Sequence, residues 1–315
     1  MVAEKKIKDL YKQGYRLVGN HSSIKVCLWT KKAIKKQDFC YKQKFYGINS
    51  HRCVQMTPAL PFCTNRCCWC WRDIDFTLPK WKGAVDDPKD IVVGCIKEHM
   101  KYLQGFRGNP KTNKKMFNES LNPLHFAISL SGEPTLYPKL PQLIKELKKR
   151  NITSFLVTNG TNPLMLKKLI KEQPTQLYIS LPAPDEETYI KVCSPLIKDG
   201  WKKINSSLKL LKNFKRSTIR LTLVKNVNML KPEKYAELVD KASPKFLECK
   251  AYVWVGYSRE RLKLENMPTH KEIKDFSKKI EKNSNYKIID EKKESRVVLL
   301  MCRKSGRFLS TLKTP

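Results

Sequence analysis

Three cysteines on one short run, Cys63-Thr-Asn-Arg-Cys67-Cys68-Trp-Cys70, carry the spacing Cys-x-x-x-Cys-x-x-Cys. Thiolates held this close can bind three corners of a four-iron cluster and leave the fourth iron open. An open iron can chelate the amino and carboxylate groups of S-adenosylmethionine and pass one electron into its sulfonium, which releases a 5′-deoxyadenosyl radical. Zinc is the competing ion. It favours paired Cys-x-x-Cys knuckles and four ligands, and no second knuckle follows at ribbon-like distance. Cys27, Cys40 and Cys53 form a second, equally spaced set that on spacing alone fits a second cluster or three buried thiols. Cys95, Cys193, Cys249 and Cys302 lie in apolar surroundings and are expected in the core.

The elements that must position these groups alternate between short β-rich apolar runs and longer helical-period segments. Strands are predicted at Cys53 to Thr57, Leu124 to Leu130, Ser154 to Thr158, Gln176 to Leu181, Thr218 to Val224 and Leu247 to Val255. Helices are predicted at Pro88 to Leu103, Leu140 to Lys149, Pro163 to Lys171, Glu186 to Val192, Trp201 to Phe214 and Pro232 to Ala242. Right-handed crossovers would curl about six such βα units into a partial (β/α) barrel, an α/β fold. The cysteine run follows the first strand, Ser131-Gly132-Glu133-Pro134 follows the second, Thr158-Asn159-Gly160 ends the third and Ser180 ends the fourth. C-terminal strand ends are where such barrels build their sites. The expected organisation is an N-terminal extension over 1–50, a barrel core over 51–268 and a C-terminal helix and strands over 269–315, in one compact domain. Gly105 to Pro123, with Arg107, Lys111, Lys114 and Lys115 among Gly, Asn and Pro, is expected to be an exposed basic loop.

The chain has 315 residues, 41% of them apolar, enough for a real core. Against 29 Asp+Glu stand 63 Lys+Arg, a formal charge of +34 that makes a polyanion the first partner to consider. Met1 to Lys12 alternates charge with single apolar residues, unlike a secretory leader, and no stretch approaches the roughly 20 apolar residues of a membrane helix. A cytoplasmic location follows as the expectation, and eleven cysteines there should stay reduced, which favours metal ligation over disulfides.

Trp69 directly before the last cysteine of the run, and the Ser131-Gly132-Glu133-Pro134 segment after the second strand, resemble the pattern of the radical S-adenosylmethionine superfamily. The resemblance implies that the Ser131 to Pro134 backbone and the Glu133 carboxylate pair with the methionyl ammonium, and that Thr158, Asn159 and Ser180 serve the cofactor's carboxylate and ribose. Lys42-Gln-Lys-Phe-Tyr-Gly-Ile48, Ser50-His-Arg-Cys53-Val-Gln-Met-Thr-Pro58 and the closing Cys70-Trp-Arg72 narrow the likeness to the tRNA 4-demethylwyosine synthases, over nearly the whole chain.

That resemblance implies two [4Fe-4S] clusters, one on Cys63, Cys67 and Cys70 and one on Cys27, Cys40 and Cys53. It implies that 1-methylguanosine beside the anticodon of phenylalanine tRNA is condensed with pyruvate, and that Lys42 holds pyruvate as an imine. The chain is similar to the shorter archaeal form, so a separate electron donor such as ferredoxin or flavodoxin is expected, and a monomer. Two alternatives stay open at this level: a radical S-adenosylmethionine enzyme acting on a protein glycine or a small metabolite, and a zinc-stabilised RNA-binding module.

Overall fold

The computed structural model describes residues 4–303. The first three residues of the opening Met1 to Lys12 segment, and the last twelve of the expected 269–315 segment, lie outside the described residues. The chain divides into two units, one of residues 4–62 and 80–157 and one of 63–79 and 158–303.

In the first unit, helix α1 (Glu4–Lys12) leads into a hairpin of β1 (Arg16–Val18) and β2 (Ser22–Ile24). Helices α2 (Leu28–Ile34) and α3 (Tyr41–Tyr46) precede β3 (Cys53–Thr57), which pairs antiparallel with β2. Helix α4 (Pro88–Leu103) starts at Asp87, whose side chain accepts from the Lys89 amide, with Pro88 pre-set in the first turn. After α5 (Lys114–Ser120) come β4 (His125–Ile128), α6 (Leu140–Lys149) and β5 (Thr153–Thr158). Strands β3, β4 and β5 are parallel. All four residues of β4 are buried, which explains its unbroken apolar reading: a parallel strand covered on both faces has no polar side to show. Helix α6 buries Leu140, Leu143, Ile144 and Leu147, one stripe at helical spacing.

The second unit repeats the plan. Helix α7 (Pro163–Leu169), β6 (Gln176–Ser180), α8 (Glu186–Cys193), α9 (Gly200–Leu208), β7 (Ser217–Leu223), α10 (Pro232–Ala242) and β8 (Phe246–Ala251) follow in order, with β6, β7 and β8 parallel. Helix α11 (His270–Lys282) precedes β9 (Tyr286–Lys292) and β10 (Val297–Cys302), and β10 lies antiparallel between β8 and β9. The six expected βα units are therefore present, three strands to a unit, in a mixed α/β fold with parallel-rich sheet. The sheet is flanked by antiparallel strands rather than closed into a barrel.

Three expectations need correction. The basic stretch of 105–123 is not all loop: Asn113 caps α5, accepting from Met116 N at 3.1 Å, because Phe117 has a core of Val26, Ile34 and Leu103 to enter. The strand predicted to Val255 stops at Ala251, and the helix predicted to Phe214 stops at Leu208, followed by a 3-10 turn at Leu211–Asn213. Cys302 is only half-buried, whereas Cys95, Cys193 and Cys249 are buried as expected. Among the described residues no helix is long and apolar enough to cross a membrane.

His99 on α4 is fully buried, and neither ring nitrogen has a hydrogen-bond partner among the described residues. Burial pushes its pKa down from 6.5 to about 4, so the folded protein holds the ring neutral. Its contribution is complete above the unfolded value and is lost as pH falls from about 6.5 towards 4, on the order of 3 kcal/mol at about 1.4 kcal/mol per unit. Urea unfolding across this pH window should show that slope, and His99→Leu should flatten it. An unchanged slope in the variant would assign the acid lability elsewhere.

Candidate active site

The cysteine run has no regular secondary structure, so its shape comes from what holds it. Arg66 N donates to Cys193 O at 2.8 Å and Cys68 N to Val192 O at 2.9 Å, both at the C-terminal end of α8, while Leu196 N donates to Thr64 O at 2.8 Å. Tyr189 on the same helix donates its hydroxyl to Asn65 Oδ1 at 3.0 Å. From the other side Arg261 donates to the Cys68 carbonyl at 3.2 Å and to the Cys70 carbonyl. Gly256, at φ +57, lets the backbone pass Trp71: a Cβ there would stand 2.4 Å from the Trp71 carbonyl oxygen.

Cys63, Cys67 and Cys70 share one buried cation. The Arg72 side chain is 7% exposed; burial opposes its charge, but the sulfurs of Cys70, Cys63 and Cys67 hold its pKa above the ordinary value. Among the described residues no three His, Cys, Asp or Glu side chains gather tightly enough for a single ion. A cluster places each thiolate on a different iron, so its ligands stand farther apart than those of one ion. Cys193, expected as plain core, touches the site: its sulfur lies 3.6 Å from Cys67 Sγ. The Cys67 thiol is held well above its usual range, first by that contact and then by burial. Burial also pushes the Cys68 thiol up to about 12.

Asn159 is part of the same construction. Its amide donates to Thr64 Oγ1 at 2.8 Å and lies 3.8 Å from Cys63 Sγ, and its oxygen accepts from Thr161 N and Oγ1 at 3.0 and 2.7 Å. Thr158 accepts from Gly160 N at 3.1 Å. These contacts make Thr158 and Asn159 a brace for the cysteine loop. Ser180 ends β6, half-buried, and Trp69 is half-buried beside Cys70.

In the first unit, Gly132 sits at φ +68, and a Cβ there would lie 1.9 Å from the Ala59 carbonyl oxygen. Glu133 N bonds Phe62 O at 2.6 Å. The Glu133 carboxylate is buried and turns Oε1 back to Thr135 N and Oγ1, at 3.0 and 2.5 Å, capping the turn that opens with Pro134. Half of it is thus committed to its own turn, leaving Oε2 as the atom to face an ammonium. Ser131 Oγ is buried with no partner among the described residues. A buried hydroxyl left unsatisfied next to a glycine cradle fits a polar cofactor.

The second cysteine set converges by sheet register. Ile24 pairs with Met56 and Lys25 N bonds Gln55 O at 3.1 Å; continuing that antiparallel register sets Cys27 opposite Cys53. Cys27 caps α2, its sulfur accepting from Thr30 N at 3.4 Å, and the Thr30 hydroxyl reaches Ser50 O and Cys53 O at 3.1 and 3.4 Å. Ser50 Oγ in turn accepts from Cys40 N at 2.9 Å. Burial raises the Cys53 thiol pKa first, then Cys27 and Cys40, while Lys42 opposes them. Lys42 is buried on α3 with Nζ 4.7 Å from the Phe155 ring centroid. Spacing could not have shown this convergence; the register and Thr30 create it.

Gly132→Ala should lower the unfolding free energy by about 1–3 kcal/mol from backbone conformation alone, before the collision with Ala59 is counted. Denaturant midpoints measure it, and an alanine variant as stable as the parent would show that 59–62 yields freely.

A family model for the radical SAM superfamily matches residues 57–239, and one for wyosine base formation matches residues 241–301. The S-adenosyl-L-methionine-dependent tRNA 4-demethylwyosine synthase of Pyrococcus horikoshii is 52% identical over 303 residues, covering 94% of this chain and 89% of that protein. Its counterpart from Methanocaldococcus jannaschii is 41% identical over 312 residues, covering 95% and 96%. Among solved structures, TYW1 with a lysine-pyruvate adduct bound matches with a TM-score of 0.90 at 39% identity, covering 99% of this chain and 100% of that one. Archaeal TYW1 matches at 0.82 and 35% identity, with the same coverage. The chain belongs to the S-adenosyl-L-methionine-dependent tRNA 4-demethylwyosine synthases, radical SAM enzymes of wyosine-base biosynthesis that act on tRNA.

Proposed function

We propose that this enzyme condenses 1-methylguanosine beside the anticodon of phenylalanine tRNA with pyruvate, using two [4Fe-4S] clusters and electrons from a separate donor such as ferredoxin or flavodoxin, as a monomer. The carrying observation is the convergence of Cys27, Cys40, Cys53 and Lys42, a second thiol set with a buried amine beside it. Cys63, Cys67 and Cys70 would hold the cluster that, when bound with S-adenosylmethionine, supplies the 5′-deoxyadenosyl radical. Ser131, Gly132, Glu133 and Pro134 would orient the methionyl group, with Trp69, Thr158, Asn159 and Ser180 lining the rest of the cofactor's site.

Lys42 Nζ is the group to take pyruvate: its amine adds to the keto carbon and water leaves, giving an imine with the electrophilic carbon fixed in place. Burial of Lys42 against Phe155 excludes the bulk water that would return the imine to ketone. The lysine-pyruvate adduct named for the 39%-identical TYW1 supports this assignment. For the RNA, Asn113 N bonds Ile34 O at 3.1 Å and joins α2 to α5, which draws Lys31, Lys32, Lys35 and Lys36 together with Lys111, Lys114 and Lys115. Such a lysine surface suits the backbone of an anticodon loop whose target base must be splayed out of its stack.

With 1-methylguanosine-containing tRNA, pyruvate, S-adenosylmethionine and dithionite, mass spectrometry should find the tricyclic nucleoside. Its absence with an iron-replete enzyme would return the substrate to question. Borohydride with pyruvate should add mass to the peptide carrying Lys42, and a Lys42→Ala enzyme with undiminished product would remove that residue from the mechanism. Replacing Cys27, Cys40 and Cys53 together by alanine should lower bound iron by about half, one cluster of two. Unchanged iron would make those thiols structural.

A further inference from the structure

Beside the loop of Cys63, Cys67 and Cys70 lies a cation that none of the assignments above explains. Arg72 is buried at 7% exposure, and the sulfurs of Cys70, Cys63 and Cys67, not a carboxylate, stabilise its charge. Its side chain donates to the Cys70 sulfur, and its Nη2 is buried with no hydrogen-bond partner among the described residues. Neutral thiols are poor compensation for a buried guanidinium, and an uncompensated one is strongly destabilising. The arrangement makes electrostatic sense only if the sulfurs carry negative charge, as thiolates on iron do.

We propose that Arg72 is the fixed counter-cation of the cluster on Cys63, Cys67 and Cys70, and that it favours the reduced state of that cluster. The proposal rests on the reading that these three cysteines hold a cluster. Reduction adds one electron from the donor and no proton, so the sulfur cage becomes more negative by one charge. A nearby fixed cation in a poorly screened interior lowers the energy of the more negative state more than that of the less negative one. Net charge and hydrogen bonds to sulfur are among the levers that set cluster potentials. Arg261 supports the loop differently, through the Cys68 and Cys70 carbonyls, and so fixes shape while Arg72 reaches sulfur. Arg72 is in this sense a positioning and tuning residue rather than a catalytic one.

The test is a redox titration of the anaerobically purified full chain, followed by electron paramagnetic resonance in the signal that changes when S-adenosylmethionine is added. Arg72→Gln should shift that cluster's reduction equilibrium about tenfold against reduction, about 59 mV for one electron, while Arg72→Lys stays closer to the parent. Loss of iron in Arg72→Gln with iron retained in Arg72→Lys also supports the counter-cation role, since only charge distinguishes that pair in direction. An iron-replete Arg72→Gln enzyme with the parental midpoint would overturn the proposal, as would equal loss of iron from both variants, which marks a need for shape alone. A parent protein without iron would instead remove the reading on which the proposal stands.

Discussion

The carbonyls at the end of α8 are what give the cysteine run a shape. A loop rich in ligands has no ladder of its own, and three backbone hydrogen bonds to Val192, Cys193 and Leu196 supply one. Ser194 makes this possible by adopting a left-handed conformation at φ 38, which ends the helix and turns Pro195 alongside Asn65. The N-terminus of α8 is secured as firmly: Asp185 caps Thr188 N at 2.9 Å and pairs with Lys231 at 2.7 Å, and those two partners hold its carboxyl well below the usual carboxylate range. The geometry of three sulfurs thus depends on a helix more than a hundred residues away in sequence.

The two thiol sets illustrate different ways to bring sulfur together. Cys63, Cys67 and Cys70 are near one another because they are near in sequence, and the fold only fixes their orientation around Arg72. Cys27, Cys40 and Cys53 meet because a hairpin adds to the edge of β3 and because Thr30 and Ser50 tie three separate backbone segments into one knot. Lys42 arrives with the second set since it lies one turn into the helix that follows Cys40.

What could be read from the chain alone follows this distinction. The six βα units, the cysteine run and the Gly132 turn were legible, for each is written in local periodicity or spacing. The helix α5 was hidden by the Gly, Asn and Pro around it, and its existence depends on Phe117 finding Leu103 and Ile34. Glu133 and Asn159 could be marked as polar residues at strand ends, but not how much of each is consumed in holding its own turn. Cys193 looked like any buried thiol, and its contact with Cys67 depends on the α8 end. The pairing of Arg72 with three sulfurs was beyond spacing too, because the residue shows its role only through burial.

The register between β2 and β3 has a bearing on how this chain can change. Side chains along a strand alternate between faces, so a single-residue insertion between the Gly19 turn and Cys27 would turn that sulfur away from Cys53. The turn itself is pinned, with Asn20 N bonded to Asp86 Oδ2 at 2.8 Å. Length variation is therefore barred from the hairpin and finds room instead in the 107–112 connection, where no ligand depends on the count. Within one unit, the molecule has a segment frozen in length next to one at liberty to drift.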